Sequence, residues 1–377
     1  MNAKTLVYIV SLIIGFTCCK GNIDCIDENG RAVDWWTIAK IPEIKDSSNK
    51  WIVEGTGYLY FDSHQGSKLY FPDKSINSLN SAPGYTLSQL YKSSGSVGYA
   101  MYNDETPDAT KDSTDAHSKG VVAYDSNSGF WLVHSVPSFP PYAGKSYSYP
   151  ESGEIYGQSM LCMSLSLSNI NTVGRQFQTN GPNFYNFSMP SSLISSLPDL
   201  YQATVNKKRV SVPSYNIATL TSMGGMRFTS FAKAKEFNKD LYSMLVAPKL
   251  QKSLLVETWI RGDKACDCSV CEPHNMCNYV VDDVNYVNFT EEVQYVETKD
   301  HSKWAVSKDK TTICIGDINR MNSQFHRGGG TVCFVETQLA TIYEAAAQHN
   351  TCHECPGDID IDIEVNINMN LKPKILF

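Results

Sequence analysis

The chain predicts a mixed α+β fold made of two similar halves that share one active site. Three observations carry this reading. The motif His-Ser-Lys occurs twice, at His117-Ser118-Lys119 and at His301-Ser302-Lys303. Each copy heads the same pattern of apolar run, polar turn and second apolar run ending in polar residues. Strand-like and helix-like apolar spacings are both present along the chain.

Taken in order, the first element is a leader. Lys4 precedes a short apolar run, residues 5–16, and small residues follow. This is the order of a secretory signal cleaved near Gly21, and the run is short for a membrane span. An uncleaved anchor is the alternative. No later segment approaches the roughly 18 apolar residues of a span, so no membrane association is expected once the leader is removed. Export gives the cysteines a meaning. There are twelve, and Cys18 and Cys19 fall in the leader. The other ten are Cys25, Cys162, Cys266, Cys268, Cys271, Cys277, Cys314, Cys333, Cys352 and Cys355, an even set that argues for disulfides. The Cys-x-x-Cys spacings at 268–271 and 352–355 also suit zinc, and that reading stays open. Asn186-Phe-Ser188 and Asn288-Phe-Thr290 are glycosylation acceptors consistent with export.

Residues 25–162 are rich in Tyr, Val, Trp and Ser and read as strands and loops; residues 55–61 and 97–102 have strand character. Trp35-Trp36 is read as core, with base stacking as the rival. In the first hairpin, Val121-Val-Ala is followed by the turn Asp125-Ser-Asn-Ser-Gly129 and a return strand ending at His134-Ser135. Pro190, Pro198 and Pro213 mark the junction, dividing the mature chain into halves of about 22–195 and 196–377. Residues 229–247 carry Phe231, Ala234, Phe237, Leu241, Met244 and Leu245 at three- and four-residue spacing, which predicts a helix stopped by Pro248. The second hairpin runs from Trp304-Ala-Val through the turn at 307–310 to Gly316, Asp317 and Asn319. Arg327-Gly-Gly-Gly330 reads either as backbone open to a phosphate or as a flexible loop. A helix over 338–349 and an alternating strand from Asp358 complete the chain.

The formal charge is −7. Losing Lys4 and Lys20 with the leader takes it to −9, and protonating all eight histidines returns it to −1. A polyanion would therefore be repelled at neutral pH and tolerated in acid.

In a strand, residues i and i+2 share a face, so each His projects with its Lys. Two imidazoles and two lysines meet the needs of phosphodiester cleavage without a metal ion. One His attacks phosphorus, the other protonates the leaving 5′-oxygen, and the lysines hold the equatorial charge. Asn319 supplies a further donor, and no cofactor is needed. Arg320 is expected to hold a phosphate or a carboxylate. His64, His274, His326, His349 and His353 have no motif context and are expected at the surface.

The doubled His-x-Lys, with Gly316-Asp-Ile-Asn319 downstream of the second copy, resembles the phospholipase D superfamily. More specifically, the chain resembles the deoxyribonuclease II family. The resembling segments include Val33-Asp34-Trp35-Trp36, Met101-Tyr-Asn-Asp104, His117-Ser-Lys119-Gly120-Val121, Phe130-Trp-Leu-Val-His134, Tyr156-Gly-Gln158, Asp300-His-Ser-Lys303-Trp304, Cys314-Ile-Gly-Asp-Ile-Asn-Arg320 and Arg327-Gly-Gly-Gly330. The resemblance implies two pseudo-symmetric halves, each a central mixed sheet flanked by helices. It implies acid, metal-independent cleavage of double-stranded DNA to 3′-phosphate and 5′-hydroxyl ends, in a lysosome or after secretion. His117, Lys119, His301 and Lys303 would be catalytic, with His134, Asp317 and Asn319 in support. It favours His117 as the nucleophile. It also implies the bridges Cys25–Cys162 and Cys314–Cys333, and a third from the 266–277 cluster to the tail. Ala305 departs from relatives that carry a cysteine there. A phosphodiesterase with another substrate, such as a phospholipase, and an inactive DNA-binding relative are the rivals.

Overall fold

Apolar runs separated by Gly-, Ser- and Asn-rich turns pair into two large sheets. The computed structural model describes residues 22–64, 69–92, 95–111, 114–260 and 279–350. In chain order the strands are β1 (Cys25–Ile26), β2 (Ala32–Val33), β3 (Trp35–Lys40), β4 (Tyr58–Asp62), β5 (Gly98–Tyr102), β6 (Gly120–Tyr124), β7 (Ser128–His134), β8 (Gln158–Ser166) and β9 (Phe184–Ser188). They continue as β10 (Tyr215–Thr221), β11 (Arg227–Lys233), β12 (Leu254–Glu257), β13 (Val281–Thr290), β14 (Val293–Val296), β15 (Trp304–Ser307), β16 (Thr312–Gly316), β17 (Gly329–Val335) and β18 (Ala347–Asn350). The helices are α1 (Lys50–Val53), α2 (Ala82–Tyr91), α3 (Leu167–Asn180), α4 (Pro198–Thr204), α5 (Ala247–Leu250), α6 (Asn322–Phe325) and α7 (Thr337–Ala346).

Among the described residues, the first sheet has seven strands in the order β4-β3-β8-β7-β6-β5-β9. All its pairs are antiparallel. The expectation of a mixed sheet therefore fails here, because β5, β6, β7 and β8 follow one another as a meander. The second sheet runs β10-β11-β17-β16-β15-β12-β13-β14, with β18 on β13. It is mixed, since β12 and β13 are parallel. Both expected hairpins form, as β6–β7 and β15–β16.

Both sheets contribute to one apolar core. Trp35, Val122, Trp131 and Leu161 from the first meet Phe228, Trp304, Ile315 and Phe334 from the second, and the Trp35 and Phe334 rings lie 5.1 Å apart. Helix α3 enters this core through Ile170, Val173 and Phe177, and α7 through Leu339, Ala340 and Tyr343, each on one helical face. Ser166 caps α3 at its start, and Gly181, at φ 69°, supplies the left-handed residue that ends it. Trp36 points the other way, into the core beneath α2, so both tryptophans are packing residues. The predicted bridges Cys25–Cys162 and Cys314–Cys333 form. The 266–277 and 352–355 cysteines and the expected terminal strand lie outside the described residues. Asn186 and Asn288 sit partly exposed on β9 and β13. Among the described residues, no helix is long and apolar enough to cross a membrane.

The helix expected at 229–247 is not there. Residues 227–233 form β11, paired on both sides with β10 and β17. A π-helical turn, Tyr242–Val246, then leads into α5. Both faces of β11 are covered, so its burial does not alternate, and its apolar residues fall by accident into register with those of the later turn. Helix α7 stops at Ala346, and residues 347–350 pair with β13 instead. The Arg327-Gly-Gly-Gly330 segment is no flexible loop: Gly329 and Gly330 open β17 and pair with β11.

Candidate active site

Neither His-x-Lys pair lies in a strand; each sits in the strap just before one. The first strap is tied to the end of α3 and to the entry of β17. Ala116 N–H donates to the Gly181 carbonyl (3.1 Å) at the end of α3, and His117 N–H to the Gly328 carbonyl (2.9 Å) ahead of β17. Gly328 is required there, since a Cβ would stand 1.8 Å from the Asn180 carbonyl oxygen. A cavity of about 240 Å³ opens beside the strap, lined by Ala116, Asn180, Arg209, Lys235, Glu236 and Gly328 among others.

The His117 ring is oriented by a backbone carbonyl: Nδ1 lies 2.6 Å from the Asp317 oxygen. A carbonyl only accepts, so Nδ1 carries the proton and the neutral ring presents its lone pair at Nε2. Burial, then the Lys119 charge, push His117 down to about 3 against the pull of Asp104. Asp104 Oδ2 stands 3.8 Å from Nε2, and the same carboxylate pairs with Lys119 and, at 3.2 Å, with Arg327. Burial raises Asp104, yet Lys119, His117 and Arg327 together hold it well below the usual carboxylate range.

The second strap docks on the first sheet. His301 N–H donates to the Gly157 carbonyl (2.9 Å), and Lys303 N–H to Ser159 Oγ (3.0 Å). The His301 ring is stacked on Tyr156 (centroids 4.0 Å apart, planes at 7°) and faces Trp259 at 4.2 Å. Lys303 Nζ donates back to the His301 carbonyl (2.6 Å). Burial, then Lys119, bring Lys303 down to about 7.

The supporting residues fall around these straps. Asp317 Oδ1 accepts from Gly330 N–H (2.7 Å), and burial raises this carboxyl to about 7 despite that bond and the two lysines. Asn319 Oδ1 is buried without a partner among the described residues. His134, fully buried at the end of β7, accepts from Val136 N–H at Nδ1 (3.2 Å), and its backbone N–H donates to the Lys119 carbonyl (3.2 Å). Its Nε2 has no partner among the described residues. Burial and Lys119 hold it neutral, well below the ordinary range. His117 and His134 thus stay uncharged in mild acid, and the return to −1 by protonating eight histidines is overstated. His64 and His326 are exposed, and His349 lies 3.7 Å from Asp282. Asp104, Tyr156 and Arg327, which lie in segments named for the resemblance but were given no side-chain role, also stand at the site, and so does Trp259, which no motif marked.

Arg320 holds carboxylates. Its Nε donates to Asp240 (3.0 Å) and its guanidinium also binds Asp283, all buried. Asp240 in turn accepts from Tyr242 N–H and Ser243 N–H at the start of the π-helical turn. Arg320→Met would leave two buried carboxylates without their cation and lower stability by about 3–5 kcal/mol. Denaturant unfolding with disulfides intact reads this directly; a loss under ~1 kcal/mol would contradict it.

A family model described as Deoxyribonuclease II matches residues 24–352. The chain belongs to the deoxyribonuclease II family. It is similar to Deoxyribonuclease-2 of Caenorhabditis elegans, 35% identical over 93% of this chain and 100% of that protein. Cell death-related nuclease 6 of the same organism is 35% identical over 89% of this chain and 90% of its own length. Deoxyribonuclease-2-alpha of Rattus norvegicus is 35% identical over 86% and 91%. This deoxyribonuclease II family member carries both His-Lys pairs, together with His134, Asp317 and Asn319. The segments named for the resemblance include the two straps and their hairpin strands, and also β2–β3, the end of β5 and the entry to β8.

Proposed function

We propose that the chain is an acid endodeoxyribonuclease that hydrolyses double-stranded DNA without a metal ion, leaving 3′-phosphate and 5′-hydroxyl ends. The observation that carries this is the His117 ring, with Nδ1–H on the Asp317 carbonyl and Nε2 left as a lone pair in mild acid. Nε2 attacks phosphorus and the P–O5′ bond breaks as the His301 imidazolium gives its proton to the 5′-oxygen. The phosphoryl group, still esterified to the 3′-oxygen, is held on His117. Water, deprotonated by His301, then attacks phosphorus, the P–N bond breaks, and the 3′-phosphate leaves. The charge that develops on the His117 ring is met by Asp104 and by the Asp317 carbonyl. Lys119, Lys303 and the Asn319 amide stabilise the equatorial oxygens, and His134 supports Lys119 from behind.

The halves, about 22–195 and 196–377, are read as pseudo-symmetric about this shared site. Two features support that. In each, a His-x-Lys strap precedes a hairpin whose return strand pairs with the strand leading to a core helix, β6-β7-β8-α3 and β15-β16-β17-α7. In each, β5 or β12 flanks the hairpin's first strand. The cavity beside the first strap, with Arg209 and Lys235 on its wall, offers room for the DNA strand beyond the scissile bond. Destruction of DNA from engulfed or ingested cells, in a lysosome or after secretion, fits the expected leader, the bridges and a relative named as a cell death-related nuclease.

Plasmid nicking at pH 5 and pH 7.5 in excess chelator, followed by end-group analysis, tests the reading. Nicking at pH 5 that survives chelation and leaves 3′-phosphate ends is expected. Activity lost to chelator and restored by a divalent ion would overturn the metal-free step. Hydrolysis of a phospholipid in place of DNA would move the substrate class.

A further inference from the structure

The two catalytic histidines stand in opposite surroundings, although matching positions of the scaffold supply them. Strands β5 and β12 each flank the first strand of a His-x-Lys hairpin and end at Tyr102 and Glu257. Two residues further on, the first half has Asp104, whose carboxylate lies beside His117. The second half has Trp259, whose indole lies against His301. From the loop before β8, Tyr156 covers the ring in parallel stacking. His117 is thus set among a carboxylate and a carbonyl, and His301 beside a stacked tyrosine and a tilted indole.

We propose that Tyr156 and Trp259 are positioning residues for His301, holding its ring toward the leaving oxygen and favouring its protonated form. The proposal rests on the reading of His301 as the acid. An aromatic face attracts a cation through its quadrupole, more strongly where water is excluded, and a neutral imidazole gains much less. Parallel stacking at 4.0 Å also removes the rotational freedom that would let the ring turn its nitrogen away from the 5′-oxygen. The charged groups around His301 make such support useful. Lys303 from its own strap opposes a second cation, and Lys119 reaches the same site from the first half. Asp300, on the same strap, is raised by burial. Glu257, from the end of β12, is fully buried with neither oxygen partnered among the described residues, and burial holds it well above the carboxylate range. It is therefore uncharged, and offers the imidazolium little.

The test uses full-length enzyme with Tyr156→Phe, Tyr156→Leu, Trp259→Phe and Trp259→Leu. Three readouts are taken: NMR titration of the His301 ring, kcat and KM on duplex DNA across pH, and the nitrophenolate burst from a nucleoside 3′-(4-nitrophenyl phosphate), whose leaving group needs no acid. Each leucine variant should lower the His301 pKa by about one unit. DNA kcat should fall about tenfold with KM little changed, and the nitrophenolate burst should be kept. Both phenylalanine variants should restore the wild-type titration. Leucine variants that raise KM with an unchanged His301 titration would make the rings a base-stacking surface and overturn the proposal. An equal fall in the burst would make them merely structural, and also overturn it. Failure of the underlying reading looks different: His301→Ala itself would keep full activity on DNA.

Discussion

His117→Ala should lose DNA turnover at every pH by a factor on the order of 10⁴ or more, because no covalent intermediate can form. His301→Ala should fail in a different way. On DNA it loses the acid for a poor alkoxide leaving group. On a nitrophenyl phosphodiester it should release a burst of about one equivalent of nitrophenolate and then stall, since no base activates water for the second step. The stalled protein should carry a phosphoryl adduct, stable in alkali and lost in acid, on the peptide that contains His117. The asymmetry follows from the geometry. His117 has its Nδ1 proton fixed on a carbonyl, and its Nε2 stays unprotonated in acid. A burst in His117→Ala with the adduct on His301 would reverse the two roles. Full activity of either variant on DNA would remove the mechanism.

The second large effect is on pH dependence. Asp317 and Lys303 are both brought to about 7 by burial, from opposite directions. Below pH 7 Asp317 is neutral and Lys303 is cationic. Above pH 7 Asp317 is an anion and Lys303 has lost its charge. Both changes on alkalinisation make the phosphate site more negative. If both groups must be protonated, each is so in about one molecule in ten at pH 8, and the competent fraction falls to roughly one in a hundred. Asp317→Asn removes one of the two titrations. Its amide oxygen still accepts from Gly330 N–H, and the backbone carbonyl that orients His117 is untouched. The variant should keep its rate at pH 5 within a few-fold and run about tenfold faster than wild type at pH 8. Its alkaline limb should fall with a slope of one rather than two. An unchanged limb would mean that Asp317 does not set it.

The histidine count points to bulk neutralisation, but the half-buried His117 and the buried His134 remain uncharged in mild acid. Burial instead brings an aspartate and a lysine, Asp317 and Lys303, to about 7, residue types that do not normally titrate near neutrality. That burial is set by how two distant straps meet. The same reasoning separates the elements that were legible from those that were not. The hairpins were legible because apolar runs broken by polar turn residues are local signals. The bridges Cys25–Cys162 and Cys314–Cys333 came through resemblance, not through spacing. The 229–247 segment misled because a strand covered on both faces has no alternation to display.

By itself the sequence determined the chemistry on offer: two His-Ser-Lys motifs, each ahead of a hairpin, and the family segments around them. These are covalent facts and local patterns, and they need no folding to be read. Only the tertiary structure decided how the two motifs differ. It brought Asp317 of the second half to the Nδ1 of His117 and Asp104 to its Nε2 side, and it set Tyr156 and Trp259 around His301. Two copies of the same tripeptide thereby acquire unlike environments. The reason is physical: proton position and basicity depend on burial and on neighbours contributed by remote segments, and no spacing along the chain encodes them.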